Sequence, residues 1–279
     1  MKKAITSILF LYIFYSCAAK PVHETKVIEP VGGLEVAALL AEYKIFISEV
    51  AQKDDDVGFL IGDKWIYFHR GRMLTEKSSQ NEDKYQSIFY DYAIGKIEKL
   101  PGYQELTLRS SDFLDHLFGT SEIELRTQCD WVPFLEHKAY MNHFCEEALS
   151  NVEEEILKAA QTDQEVQAFI DNLDTIFSFQ LRNIRGTDNV SYHSYGLALD
   201  LVPISYNKKH ANWKWSTALV DEWHTIPLKK RWSPPQKVID AFEKNGFVWG
   251  GKWSHFDNIH FEYAPEIILL AKSKALNNQ

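Results

Sequence analysis

Two short segments that lie far apart, SYHSYGLALD at Ser191 to Asp200 and DNIHFE at Asp257 to Glu262, constrain the fold of this chain more than any other feature. Between them they supply His193, Asp200 and His260, two imidazoles and a carboxylate. That is the donor set of a catalytic zinc, three protein ligands with a fourth position left open. For the three to meet, the fold must bring the two segments side by side. Asp257 is not needed as a ligand and remains for proton transfer.

The local patterns favour such a meeting. From Leu197 onward, Leu197, Leu199 and Leu201 alternate with Ala198, Asp200 and Val202, the period of two that gives a strand distinct faces. Asp200 then points away from the leucines. Gly196, between His193 and this strand, permits a sharp bend or a close backbone approach. In the second segment His260 and Glu262 are two apart and share a strand face, with Asp257 in the preceding turn. Glu262 has two readings: a carboxylate holding an imidazole tautomer from behind, or a solvent-facing strand residue. Two neutral imidazoles and one carboxylate leave a zinc centre positively charged, enough to acidify water and polarise an amide carbonyl.

These residues resemble the zinc peptidase family of D-alanyl-D-alanine carboxypeptidases and L-alanyl-D-glutamate endopeptidases. The family signature, SxHxxGxAxD followed far downstream by D/ExxH, is met by Ser191, His193, Gly196, Ala198 and Asp200, then by Asp257 and His260. Asp rather than Glu in the second motif resembles the phage-endolysin-like branch, and GFVWGGKW at Gly246 to Trp253 extends the likeness. The resemblance runs from about Cys129 to the end. It implies an α+β fold of hedgehog/DD-peptidase type, a small antiparallel sheet carrying the zinc site and backed by helices, with an N-terminal elaboration. It also implies one Zn2+ per chain on His193, Asp200 and His260, and Asp257 as the catalytic base. The implied partner is a peptidoglycan stem peptide, cut as by a D,D-carboxypeptidase or an L-alanyl-D-glutamate type endopeptidase. FQLRNIRGT at Phe179 to Thr187 resembles the family's arginine segment, which makes Arg182 and then Arg185 candidate substrate-binding cations. Ser191 and Trp253 complete the candidate substrate-binding set. The alternative is a non-catalytic, zinc-containing cell-envelope binding protein, from which Asp257 beside an open coordination position is the distinguishing feature.

The N-terminus reads as an export signal over residues 1–19: Lys2 and Lys3, an apolar stretch from Ile8 to Tyr15, then Ser16, Cys17, Ala18 and Ala19. FYSC resembles a lipoprotein box with Cys17 as the lipidated residue, cleavage after Ala18 or Ala19 being the alternative. The expected location is the periplasm or cell envelope, with the membrane reached only through a lipid on Cys17. Cys129 and Cys145 then remain as a pair, either bridged or two buried thiols. A formal net charge of −9 argues against nucleic-acid binding.

Residues 20–128 form an N-terminal region without a functional motif, and 129–275 the catalytic domain. Periodicity predicts a helix from Leu34 to Gln52, a hairpin of Phe59 to Ile61 with Trp65 to Phe68 around Gly62-Asp63, and a strand at Ser87 to Ala93. It also predicts a short helix capped at Ser110 or Ser111 and ended by Gly119. Helices follow over Cys145 to Ala160 and from Asp163, the latter placing Val166, Phe169, Ile170, Leu173 and Phe177 on one face, and a last one after Ser233-Pro234-Pro235 stops at Gly246. The segment Ile204 to Trp232 is a basic island holding Lys208, Lys209, Lys214, Lys229, Lys230 and Arg231. Six of the eight tryptophans fall between Asp200 and His260, so a basic, aromatic loop is expected near the site, with Trp253 lining the cleft.

Overall fold

The computed structural model describes residues 33–277, so the export signal expected over residues 1–19 and Cys17 lie outside the described residues. The chain opens with α1 (Gly33–Tyr43) and then an antiparallel meander of β1 (Ile47–Lys53), β2 (Asp56–Ile61), β3 (Lys64–His69) and β4 (Arg72–Leu74). The Gly62-Asp63 hairpin forms as expected, with Ile61 paired to Lys64 and Gly62 at φ +61°. The helix expected to run to Gln52 instead stops at Tyr43. Its second half becomes β1, because Val50 to Lys53 fold back on Asp56 to Phe59 through a turn at Asp54-Asp55. Short helices α2 (Glu76–Ser79), α3 (Asp112–Phe118) and α4 (Glu122–Thr127) follow. Gly119 terminates α3 at φ +93°, a conformation that glycine adopts at little cost. Ser87 to Ala93 is not a strand; it is loop that buries Phe89 and Tyr92 in the core.

A hairpin of β5 (Cys129–Phe134) and β6 (His137–Asn142) leads into α5 (His143–Ala160) and α6 (Gln164–Asp171). Asn142 caps α5 by accepting from the Phe144 amide at 2.9 Å, and Leu149, Val152 and Ile156 are fully buried along one face. Each contributes about 1.5–3 kcal/mol through burial. Leu173 and Phe177 do not continue α6. Asn172 ends that helix, and β7 (Leu173–Phe177) begins, pairing with β8 (Ala198–Pro203).

The remaining elements are α7 (Trp213–Ser216), α8 (Gln236–Lys244), β9 (Phe247–Trp249), β10 (His260–Tyr263) and α9 (Pro265–Asn277). The second sheet is antiparallel in the order β7-β8-β10-β9. The fold is therefore α+β, with helices behind a small sheet. Leu199 and Leu201 are fully buried on one face of β8 while Asp200 lies on the other, and Phe261 of β10 stacks on Phe242 of α8 at 3.9 Å between ring centroids.

The N-terminal region shares this core. Tyr43 of α1 donates to Glu266 of α9 at 2.7 Å, Tyr92 donates to Glu243 of α8 at 2.6 Å, and Lys252 pairs with the same Glu243. Its buried side chains belong to one continuous hydrophobic cluster with those of the catalytic sheet. Among the described residues no helix is long and apolar enough to cross a membrane.

Candidate metal centre

His193 enters the site from a tight helical turn at Tyr192–Tyr195 that Ser191 caps and Gly196 ends in the left-handed region, at φ +67°. No larger residue fits there: a Cβ on Gly196 would lie 2.6 Å from Cys129 Sγ and 2.9 Å from the Asn142 amide nitrogen. The turn is clamped from both sides. Asn142 donates to the Tyr195 carbonyl at 3.0 Å, and the Tyr195 hydroxyl donates to Asp115 of α3 at 2.6 Å. Cys129 and Cys145 pack under this clamp as free, buried thiols rather than a disulfide. Burial pushes the Cys129 thiol up to about 12 and Cys145 further in the same direction.

Antiparallel pairing sets His260 of β10 directly opposite Asp200 of β8. One donor atom from each of His193, Asp200 and His260 lies within 4.8 Å of the other two. Asp200 Oδ1 stands 3.2 Å from His193 Nε2 and 2.9 Å from His260 Nδ1. The outward ring nitrogens are held from behind. His193 Nδ1 faces the Ser178 carbonyl at 2.5 Å, and since a carbonyl only accepts, that nitrogen carries the proton and Nε2 presents its lone pair inward. His260 Nε2 faces Glu262 Oε2 at 3.3 Å. Of the two readings for Glu262 the first is therefore seen; it is only 3% exposed.

The two carboxylates favour positive charge at His260. Burial opposes a charged His260, but Asp200 and Glu262 on either side raise its pKa to about 10. Asp200 is likewise held far below the usual carboxylate range: burial works against its charge, and the two imidazoles outweigh it. Two imidazoles with fixed outer nitrogens and one carboxylate fit Zn2+.

Asp257 precedes β10 in the turn expected for it. Its Oδ2 accepts from Asn212 at 2.7 Å, while its Oδ1 is buried without a hydrogen-bond partner. Burial first, and repulsion from Asp200 second, push its pKa up to about 7, despite the opposing pull of His260 and Asn212. A carboxylate so placed exchanges protons near neutrality.

The candidate substrate-binding residues divide. The Trp253 ring lies 5.4 Å from that of His260, with its Nε1 donating to Tyr90 at 3.3 Å, so it lines the site. Arg182 runs beside the His193 turn, its amide donating to Ser194 Oγ at 3.0 Å and its Nε to Gln180 at 3.0 Å. Arg185 is exposed in the following turn. Ser191 is 3% exposed and its hydroxyl accepts from the His193 amide at 3.4 Å, so it shapes the turn that carries His193. Arg231 of the basic island is also buried, its Nε donating to the Ile226 carbonyl and its guanidinium 3.8 Å from the Phe256 ring centroid, and burial lowers its pKa to about 10.

Three contributors carry no motif of their own: the Ser178 carbonyl, Asn212, and Arg109 from the N-terminal region. Arg109 lies 3.9 Å from Glu262 and over the Tyr192 ring. Each is brought in by tertiary packing, and none sits at a motif spacing.

His193, Asp200 and His260 form a group that could hold one metal ion, with Asp257 close by. Residues 185–263, the stretch that carries all three ligand candidates, Asp257 and Glu262, match the family model described as D-alanyl-D-alanine carboxypeptidase. No solved structure matches the chain.

Proposed function

We propose that the protein is a zinc-dependent peptidase of peptidoglycan stem peptides. The observation that carries the reading is the pairing of Asp200 with His260 across β8 and β10, which gathers the three donors beside a buried carboxylate with one free oxygen. A zinc ion held by His193, Asp200 and His260 would polarise the scissile carbonyl and acidify water. Asp257 then takes a proton from the attacking water and returns it to the leaving amine. Asn212 fixes the carboxylate so that Oδ1 is the oxygen that works. Arg182 is the chain's candidate for a cation facing the oxyanion or a substrate carboxylate. Export, with a lipid on Cys17 as the membrane anchor, fits a substrate outside the cytoplasm. Asp in the DxxH motif fits an L-alanyl-D-glutamate type endopeptidase as well as a D,D-carboxypeptidase.

The test is mass spectrometry of purified muropeptides incubated with the zinc-loaded chain. Loss of one alanine identifies a carboxypeptidase, and a shortened stem or separated dimers an endopeptidase. No mass change with any muropeptide, at full zinc occupancy, would favour the non-catalytic envelope protein.

A further inference from the structure

Beside Asp257 lies a group of rings that the peptidase reading does not use. Trp213, Trp223 and His255 pack on one another with centroids 5.1, 4.7 and 4.9 Å apart. Tyr103, from the N-terminal region, completes the group at 6.2 Å from Trp223, 5.3 Å from His224 and 5.6 Å from His255. The group adjoins the site through the backbone. The Trp213 amide donates to the Phe256 carbonyl at 2.8 Å, and Asn212 next to it holds Asp257.

We infer that this aromatic shelf binds the saccharide to which the stem peptide is attached, an inference that rests on the peptidoglycan reading above. Trp213, Trp223, His224 and His255 are mostly covered but each keeps an open edge, and Tyr103 is 56% exposed. Tyr103, left so open, gains little from folding. The chemistry of the shelf matches a pyranose, which has a flat face of C–H groups and a rim of hydroxyl and acetamido groups. Flat indole and phenol faces suit the C–H groups. The polar rim meets Lys214, whose Nζ sits 5.1 Å from the Trp213 ring centroid, and the second nitrogens of His224 and His255, whose other nitrogens face Glu222 at 3.3 Å and Ser254 at 3.1 Å. A nucleic acid, the other ligand that stacks on rings, needs phosphate neutralisation, and the chain carries a net charge of −9. The shelf adjoins Asp257 through Asn212 and Trp213, and in peptidoglycan the group attached to the stem peptide is the glycan.

The experiment has two readouts on the full, zinc-loaded chain. In the first, N-acetylglucosamine trimer is titrated while tryptophan fluorescence is followed. A saturable change is expected, weakened about 2- to 12-fold by Tyr103→Ala, the range for loss of one aromatic contact. In the second, KM is compared for a muropeptide and for the same peptide without sugar. The wild type should show a lower KM for the sugar-bearing substrate, and Tyr103→Ala should move the ratio of the two toward one. Trp223→Ala is the secondary variant, since Tyr103 is exposed and its loss leaves the core intact. No saturable response to the trimer, or equal KM values in the wild type, would overturn the shelf. Turnover of neither substrate with trimer binding intact and sensitive to Tyr103 would remove the peptidase reading and leave the shelf standing.

Discussion

Replacing Glu262 with Gln tests how the site is tuned from behind. Glu262 Oε2 faces His260 Nε2 at 3.3 Å, and its Oε1 lies 3.9 Å from Arg109, with the carboxylate 3% exposed. The amide keeps the shape and one acceptor but removes the negative charge that makes His260 a better donor to a metal. Losing such an outer partner typically costs 10- to 100-fold in metal affinity, about 1.4–2.8 kcal/mol. A second cost falls on folding, since Arg109 is left without its anion. The pair is long at 3.9 Å and the Arg109 side chain is 22% exposed, so the cost falls below the roughly 3–5 kcal/mol of a fully buried pair. The two costs can be separated. Adding Arg109→Met to Glu262→Gln should restore part of the metal-free stability but none of the zinc affinity. Zinc affinity is read by competition with a chromophoric chelator, and stability by denaturant melts with metal removed. Zinc affinity of Glu262→Gln within twofold of wild type would refute the role assigned to this carboxylate.

Three other perturbations follow from the geometry. In the metal-free protein the Asp257 pKa of about 7 exceeds the roughly 4 of an unfolded Asp. The folded chain therefore holds a proton that the unfolded chain releases, and stability falls as pH rises from about 4 to 7. Asp257→Asn should thus be stabilised relative to wild type at pH 8 and not at pH 4 in melts with chelator present; an equal difference at both would contradict the burial argument. Gly196→Ala places a Cβ 2.6 Å from Cys129 Sγ at φ +67° and should lower stability by at least about 2–3 kcal/mol in a denaturant melt, combining left-handed strain with overpacking. Arg182→Ala should lower kcat/KM on muropeptides by about 10²- to 10³-fold, the range for removal of one oxyanion-stabilising group, and leave zinc affinity unchanged; unaltered kinetics would shift the role to Arg109 or Arg185.

How much of this was legible in the sequence follows from which residues answer to local rules. The leucine alternation of β8 could be read because one face is buried and the other carries Asp200, so a slip of one residue would expose the leucines. The turn before His260 and the stops at Gly119 and Gly246 also follow from local chemistry. Ile47 to Lys53 failed because its mixed composition fits helix or strand, and pairing with β2 decides between them. Leu173 and Phe177 failed because a spacing of three to four residues fits the helical template, while the pairing with β8 that overrides it comes from distant residues. At the site, the ligand candidates and Asp257 lie in two contiguous motifs. The Ser178 carbonyl, Asn212 and Arg109 reach it from three other parts of the chain, and the charge on Arg231 gave no hint that its side chain is buried.

The central claim is that Asp257 transfers protons beside a metal held by His193, Asp200 and His260. It is tested most directly by measuring zinc content and muropeptide turnover together, for wild type and Asp257→Ala. The account predicts one zinc per chain in both proteins, with turnover in the wild type and a loss of about 10²- to 10⁴-fold in the variant, the range for general acid–base catalysis. A zinc-replete Asp257→Ala protein that cleaves muropeptides at the wild-type rate would contradict it.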